Sequence, residues 1–167
     1  MRSLRKEWEE YLEQTRTHVQ ELMKLCEVLG IDPKEVTPGC KIVQHNGKSL
    51  VIAMKMALAA GDAAAAELVA CECVVLAETK DHADWELIGK CGEALDGDAA
   101  KAVMAAYVRI EDEEDEHLYH TKGWCRELWL KSLGLDAVLP PPEEQKDAKS
   151  AVEAAQAQHE MEPDRKH

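Results

Sequence analysis

Two stretches of the sequence begin with the same four residues and continue with helical periodicity. Gly61-Asp62-Ala63-Ala64 and Gly97-Asp98-Ala99-Ala100 start 36 residues apart. Asp is a favourable N-cap, so Asp62 and Asp98 are the predicted caps. Apolar residues then recur at spacings of three and four, which is typical of an amphipathic helix. Because a short turn joins the two predicted helices, which end near Leu95 and Leu133, they should pack as antiparallel neighbours.

The rest of the sequence shows no sustained alternation of polar and apolar residues, so no β-sheet is expected. A first helix is predicted from about Leu4 to Leu29 and a second from about Pro38 to Ala60. Gly30 is a helix stop signal, and Pro is favourable in a first turn. The prediction is therefore an all-α chain that forms an antiparallel four-helix bundle, or a dimer that completes one.

Pro140-Pro141-Pro142 ends the predicted bundle domain, which covers residues 1–139. Residues 140–167 form a Pro-led tail rich in Glu, Gln, Ala and Lys. This composition predicts either disorder or a loose helix around residues 148–158. His159 and His167 are expected to be exposed to solvent.

Charge and composition narrow the classes of partner. The chain of 167 residues has a formal net charge of −13, which disfavours nucleic acid and anionic membranes and favours cations or basic partners. The N-terminal stretch MRSLRKEWEE lacks the apolar segment that forms the core of a signal peptide. No apolar run approaches the roughly 20 residues that span a bilayer. A cytoplasmic location without membrane or nucleic-acid partners is predicted, with the six Cys as reduced core thiols.

The two long helices carry a Glu at the same position relative to their starts. Glu78 follows Asp62 by 16 residues, and Glu114 follows Asp98 by 16. Both lie about 18 residues from the turn, so the two carboxylates should reach the same level of the hairpin. His117 completes a Glu-x-x-His pair with Glu114, and spacing of three places both on one helix face.

Other polar residues interrupt the apolar stripes at similar heights. The third helix offers Asp81 and His82 after Glu78, and the first helix offers His18 and Glu21. Unpaired carboxylates inside a bundle would cost several kcal/mol each, so they should protonate, become solvated or bind a cation. Two iron or manganese ions bridged by carboxylates and capped by His are one stable solution.

Two less specific interpretations stay open. The Glu and His residues could form a hydrogen-bonded polar core, and the acidic run from Glu111 to Glu116 could be a solvated helix face. His82 and Glu86 also give the His-x-x-x-Glu spacing of hemerythrin-type sites, which would suit an oxygen or nitric oxide sensor.

Several short motifs resemble the ferritin-like superfamily, and most closely its small, stress-associated bacterial members of uncharacterised function. They are residues 11–15, Cys40-Lys41, residues 61–64 and residues 111–114, within a region of about residues 5–133. The resemblance implies a metal-binding Glu in the first helix, for which Glu13 is the matching position. It also implies an acidic, His-containing cluster in the third helix, where this chain has residues 78–82.

These observations lead to one preferred interpretation, a ferritin-like di-metal protein with iron or manganese. Glu78 and Glu114 would bridge the ions, and His82 and His117 would be terminal ligands. His18, Glu21 and Asp81 would lie in or next to the coordination sphere. Such a site would suit metal oxidation, peroxide handling or oxygen chemistry during stress. A homodimer is the expected oligomeric state. The alternative is a metal-free helical-bundle interaction or stress protein whose acidic surface binds a basic partner.

Overall fold

The computed structural model describes residues 3–161, in which every regular element is helical. The helices are α1 Leu4–Leu29, α2 Pro38–Ala59, α3 Ala63–Ala94, α4 Gly97–Ser132, α5 Pro142–Gln145 and α6 Ala151–Met161. The predicted all-α class is confirmed for this part of the chain. None of these helices combines the length and apolar character needed to cross a membrane.

Local signals set most of the helix ends. α1 ends at Gly30, whose φ of 67° is a left-handed conformation that glycine adopts without steric cost. The side chains of Thr37 and Asp62 accept hydrogen bonds from backbone N–H groups at the starts of α2 and α3. The predicted cap of α4 is wrong by two residues. Asp96 occupies the N-cap position, and Asp98 lies in the first turn, where its charge still favours the positive helix end.

The long helices form a row in the order α1, α4, α3, α2. α3 and α4 have the most extensive contact, α1 packs on α4, and α2 packs on α3. Within the described chain, no Cα atom of α1 lies within 8 Å of a Cα atom of α2. α2 accordingly has no buried residue. The row therefore shows three of the four neighbour contacts that a closed antiparallel bundle would have.

Two apolar clusters form at different heights of this row. The first is built on Leu4, Cys71, Trp124 and Leu128. The second is built on Leu25, Val103 and Ala106, with Ile88 packed against it. Gly92 lets α3 approach α4 closely there, because a Cβ at this position would lie 3.0 Å from Cγ1 of Val103. The two clusters hold α1, α3 and α4 together above and below a polar region.

The C-terminal tail is helical over residues 142–145 and 151–161 and packs against α4. Arg126 of α4 donates two hydrogen bonds to Glu143, at 2.6 and 2.9 Å, in a planar forked geometry. Pro141 and Glu143 lie against Gly123, where a larger residue would collide with them. His159 is exposed, as expected, whereas His167 lies outside the described residues.

Candidate metal centre

A group of polar side chains from three helices lies between the two apolar clusters. His18 lies on α1 between Leu4 and Leu25, and Glu114 and His117 lie on α4 between Val103 and Trp124. α3 contributes Glu78 and Asp81. Because the apolar clusters pack the helices tightly on both sides, these side chains are held in an interior with little access to water.

Three of these residues bring metal-binding atoms together. Glu78, Glu114 and His117 each offer one ligand atom, and all three atoms lie within 4.8 Å of one another. This is the pair of carboxylates and the Glu-x-x-His spacing that the sequence predicts. They meet because the short α3–α4 connection sets both carboxylates at the same height. The faces of α3 and α4 that carry Glu78 and Glu114 also pack against each other.

Glu114 carries the most deeply buried carboxylate of this group, with the residue 2% exposed. Among the described residues, neither of its oxygens accepts a hydrogen bond in acceptable geometry. Oε1 lies only 2.6 Å from Nδ1 of His18, but this contact is an ion pair without good hydrogen-bond alignment. A buried carboxylate without hydrogen bonds is costly, so this position favours a cation.

The orientation of His117 also suits a metal ligand. Its Nε2 lies 2.9 Å from Oε1 of Gln14, which can only accept a hydrogen bond. Nε2 therefore carries a proton and faces Gln14, while Nδ1 points toward Glu78, with a separation of 3.6 Å from Oε2. Nδ1 has no hydrogen-bond partner in the described chain. Metal-binding His residues commonly have this arrangement, with the second nitrogen fixed by an outer hydrogen bond.

Electrostatic crowding is evident at Asp81 and His18. Burial, followed by the nearby charges of Glu114 and Glu78, raises the pKa of Asp81 to about 7. Burial lowers the pKa of His18, but its contacts with Glu114 and Glu113 outweigh this effect and raise the pKa above its ordinary value. Several carboxylates therefore share one imidazole as the nearest positive group.

The structure does not bring His82, Glu21 or Glu13 into this group. His82 Nε2 lies 2.6 Å from Oδ1 of Asp115, toward the outer side of α4. Glu21 pairs with Lys24 at 2.6 Å and Arg109 at 2.9 Å, so both its oxygens already face cations. Glu13 is exposed and pairs with Arg16.

A cavity of about 190 Å³ lies beside Glu114. Its lining includes Glu114 at the inner end and His82, Glu111, Asp115 and Tyr119 around it. The acidic lining would attract cations rather than anions. The predicted ligand His82 thus borders the approach to the centre.

Sequence reasoning missed several polar residues near the centre. Gln14 orients His117, and the ring of Tyr11 packs on His117 with a centroid distance of 4.2 Å. A second polar cluster of Glu7, Glu116 and His120 lies beyond Tyr11. The spacing of four between Glu116 and His120 was a visible signal. The contribution of Glu7 gave no such signal in the sequence, because it depends on how α1 packs against α4.

The donor set fits a divalent first-row metal. Two carboxylates and one imidazole are the ligand types of iron and manganese carboxylate sites. The oxygens of Glu114 and Nδ1 of His117 have no hydrogen bond in the described chain, which leaves these atoms available to an ion. His18 contacts the ligand candidate Glu114 at 2.6 Å, and Asp81 is near enough to Glu114 and Glu78 for their charges to raise its pKa.

Comparison with known proteins adds no assignment. No protein-family model, curated protein or solved structure matches the chain significantly. The chemistry of the centre therefore has to be argued from its own residues.

Proposed function

We propose that the chain is a ferritin-like protein with a carboxylate-bridged di-metal centre for iron or manganese. The observation that carries this proposal is the meeting of Glu78, Glu114 and His117, whose ligand atoms lie within 4.8 Å of one another, while His18 is the cationic partner of the buried Glu114 carboxylate. A bound cation would compensate all three groups at once.

The ligand set of the proposal is narrower than the one expected from sequence. Glu78 and Glu114 are the bridging carboxylates, and His117 is a terminal ligand. His18 and Asp81 complete the centre or orient its ligands. His82 and Glu21 are excluded because the first pairs with Asp115 and the second with two cations.

Iron or manganese would supply one-electron and oxygen chemistry at such a centre. The residues of the chain would bind the ions, limit access of water and admit small molecules past the acidic cavity beside Glu114. The proposed activity is metal oxidation, peroxide handling or oxygen chemistry during stress.

The proposal includes a four-helix bundle completed in a homodimer. Exposed apolar residues lie along two helices that no other helix covers on that side: Leu12, Val19 and Met23 on α1, and Val51, Ile52, Met56 and Leu58 on α2. A second copy could cover both stripes by placing its α2 on α1 of the first. Such self-complementary contact is the usual basis of a two-fold dimer.

Metal loading tests the proposed centre directly. Untagged protein is incubated anaerobically with Fe(II) or Mn(II), passed over a desalting column, and analysed for metal per chain. The proposal expects two tightly held ions at this centre in each wild-type chain. The Glu114→Gln variant should lose most of it while its helical circular dichroism is unchanged.

Asp112→Asn is the matched control, because Asp112 belongs to the same acidic run but is exposed. It should retain the metal content of wild type. Equal metal loss in both variants would indicate nonspecific binding to the acidic face. Wild-type protein with well below one ion per chain would rule out the metal centre and favour the metal-free interaction protein, for which the uncovered apolar stripes are the supporting observation.

A further inference from the structure

A second polar cluster lies between α1, α4 and the tail, away from Glu78 and Glu114. Glu7, Glu116 and His120 each place one ligand atom within 4.8 Å of the others. Glu7 and His120 are each 1% exposed, whereas Glu116 is partly buried. The cluster shares no residue with the centre described above.

His120 provides an independent sign of a missing partner. Its Nδ1 lies 3.2 Å from Oε1 of Glu7 and 3.1 Å from the hydroxyl of Tyr11. Its Nε2 has no hydrogen-bond partner among residues 3–161, although the ring is fully enclosed. An unsatisfied buried nitrogen costs about 1–3 kcal/mol, which metal coordination would recover.

The charges around this cluster also favour a cation. Besides Glu7 and Glu116, the carboxylate of Glu144 is close enough to raise the pKa of Tyr11 further, after burial and Glu7. The tail supplies Lys149, but its Nζ is 3.9 Å from Oε2 of Glu116, which is the outer limit of an ion pair. At that distance this half-exposed ammonium only partly balances the Glu116 carboxylate.

We propose that Glu7, Glu116 and His120 form a second, separate site for a divalent first-row transition metal. Carboxylate oxygen and imidazole nitrogen are both ligands of Zn(II), and an oxygen-rich set with one imidazole also suits Mn(II) and Fe(II). Mg²⁺ is disfavoured because it prefers oxygen ligands and retains its waters.

Tyr11 lies between the two sites. Its hydroxyl donates a hydrogen bond to Oε1 of Glu7 at 2.8 Å, while its ring packs on His117. Tyr11 thus orients a ligand of the second site and contacts a ligand of the first. The two sites are neighbours in the same polar region, but each has its own donor set.

The test is a Zn(II) titration of the untagged full-length protein in excess Mg²⁺, followed by equilibrium dialysis and elemental analysis. His120→Gln and Glu116→Gln should each remove one ion per chain or weaken it by about 100-fold or more, since even outer-shell changes cost 10–100-fold. Glu116 is partly exposed, so its variant remains informative if His120→Gln fails to fold. Glu9→Gln is the control, because Glu9 is exposed on α1 and pairs with Arg5.

The first and second sites can fail separately. If His120→Gln and Glu116→Gln keep the stoichiometry and affinity of wild type, the second site does not exist, whatever happens in Glu114→Gln. If these two variants each lose one ion while Glu114→Gln loses none, the second site stands and the proposed di-metal centre is wrong. Loss of metal in Glu9→Gln as well would overturn the second site in favour of nonspecific binding.

Discussion

At the scale of single residues, Glu114 and His18 show how the metal-free chain tolerates a buried acidic group. His18 lies between Glu113 and Glu114, at 2.7 and 2.6 Å from their carboxylates. A protonated imidazole at this position supplies the positive charge that the carboxylates otherwise lack. The polar region can therefore fold without an ion, yet Glu114 still has oxygens available to one.

The cysteines should differ strongly in reactivity, and this is a test of the local environments. Cys40 is exposed near the N-terminus of α2, and the Thr37 hydroxyl donates a hydrogen bond to its Sγ, which lowers the pKa of the thiol. Cys71 is fully buried, and burial raises its pKa to about 12. Because the thiolate is the reactive form, Cys40 should alkylate fastest and Cys71 slowest.

Iodoacetamide labelling followed by peptide mass spectrometry measures these rates. The rate at Cys40 should rise with pH and level off at a lower pH than for an ordinary thiol. Thr37→Val should reduce the rate at neutral pH severalfold. Cys71 should react only as fast as the region opens. Rapid labelling of Cys71 in folded protein would contradict the described packing.

At the scale of helices, local sequence signals were enough to predict most helix boundaries, but they did not predict the direction of each side chain. The predicted limits of α1 agree with the structure because Gly30 ends the helix whatever the tertiary context. The directions of the Asp81 and His82 side chains are harder to predict, because these residues follow Glu78 by three and four positions and flank it on opposite sides. Only the packing of α3 on α4 directs Asp81 toward Glu114 and His82 toward Asp115.

For α1, the sequence likewise does not determine which residues contact the neighbouring helices. Its periodicity identifies which residues share a stripe, but a long connection to α2 leaves its height relative to α4 undetermined by sequence. The structure pairs Glu21 with Arg109 and brings Glu7 to His120. Both contacts join residues far apart in the chain, so neither could be read from spacing alone.

Two helical glycines should respond in opposite ways to replacement by alanine. Gly123 of α4 is buried, and an added Cβ would lie 2.6 Å from Oε2 of Glu143 and 2.8 Å from Cβ of Pro141. Gly47 of α2 has no atom within 4 Å of an added Cβ. Gly47→Ala should therefore raise the free energy of unfolding by about 0.5–1 kcal/mol through helix propensity. Gly123→Ala should lower it by about 1–3 kcal/mol through overpacking.

Urea unfolding measures both changes, and limited trypsin digestion locates the second. Lys146 and Lys149 lie in the tail, so weaker docking on α4 should speed cleavage there in Gly123→Ala but not in Gly47→Ala. If Gly123→Ala were as stabilising as Gly47→Ala and the cleavage rate did not change, the tail would not pack against α4 in solution.

At the scale of the whole molecule, packing and charge act in opposite directions. The apolar clusters hold α1, α3 and α4 together at two heights, whereas the net charge of −13 and the acidic interior oppose compaction. α2 takes little part in this core, since among the described helices it packs only on α3, and it has no buried residue. The proposed second copy would give α2 the buried face that it lacks within one chain.

We expect the chain to dimerise through α1 and α2. Light scattering after size-exclusion chromatography measures the mass of the protein in solution. Wild type should have twice the chain mass of 18.6 kDa. Ile52 of α2 is 56% exposed, so Ile52→Glu should leave the fold of one chain unchanged. It should nevertheless shift the protein to a monomer, because burying an unpaired carboxylate in an apolar interface costs several kcal/mol.

Val152→Glu is the control, since Val152 is an exposed valine on α6, outside the two apolar stripes. This variant should remain dimeric, because it adds the same charge at a site the dimer leaves in water. A wild-type mass of one chain at every concentration would contradict the dimer. Dissociation of both variants to the same extent would show that total charge, rather than the α2 surface, controls association.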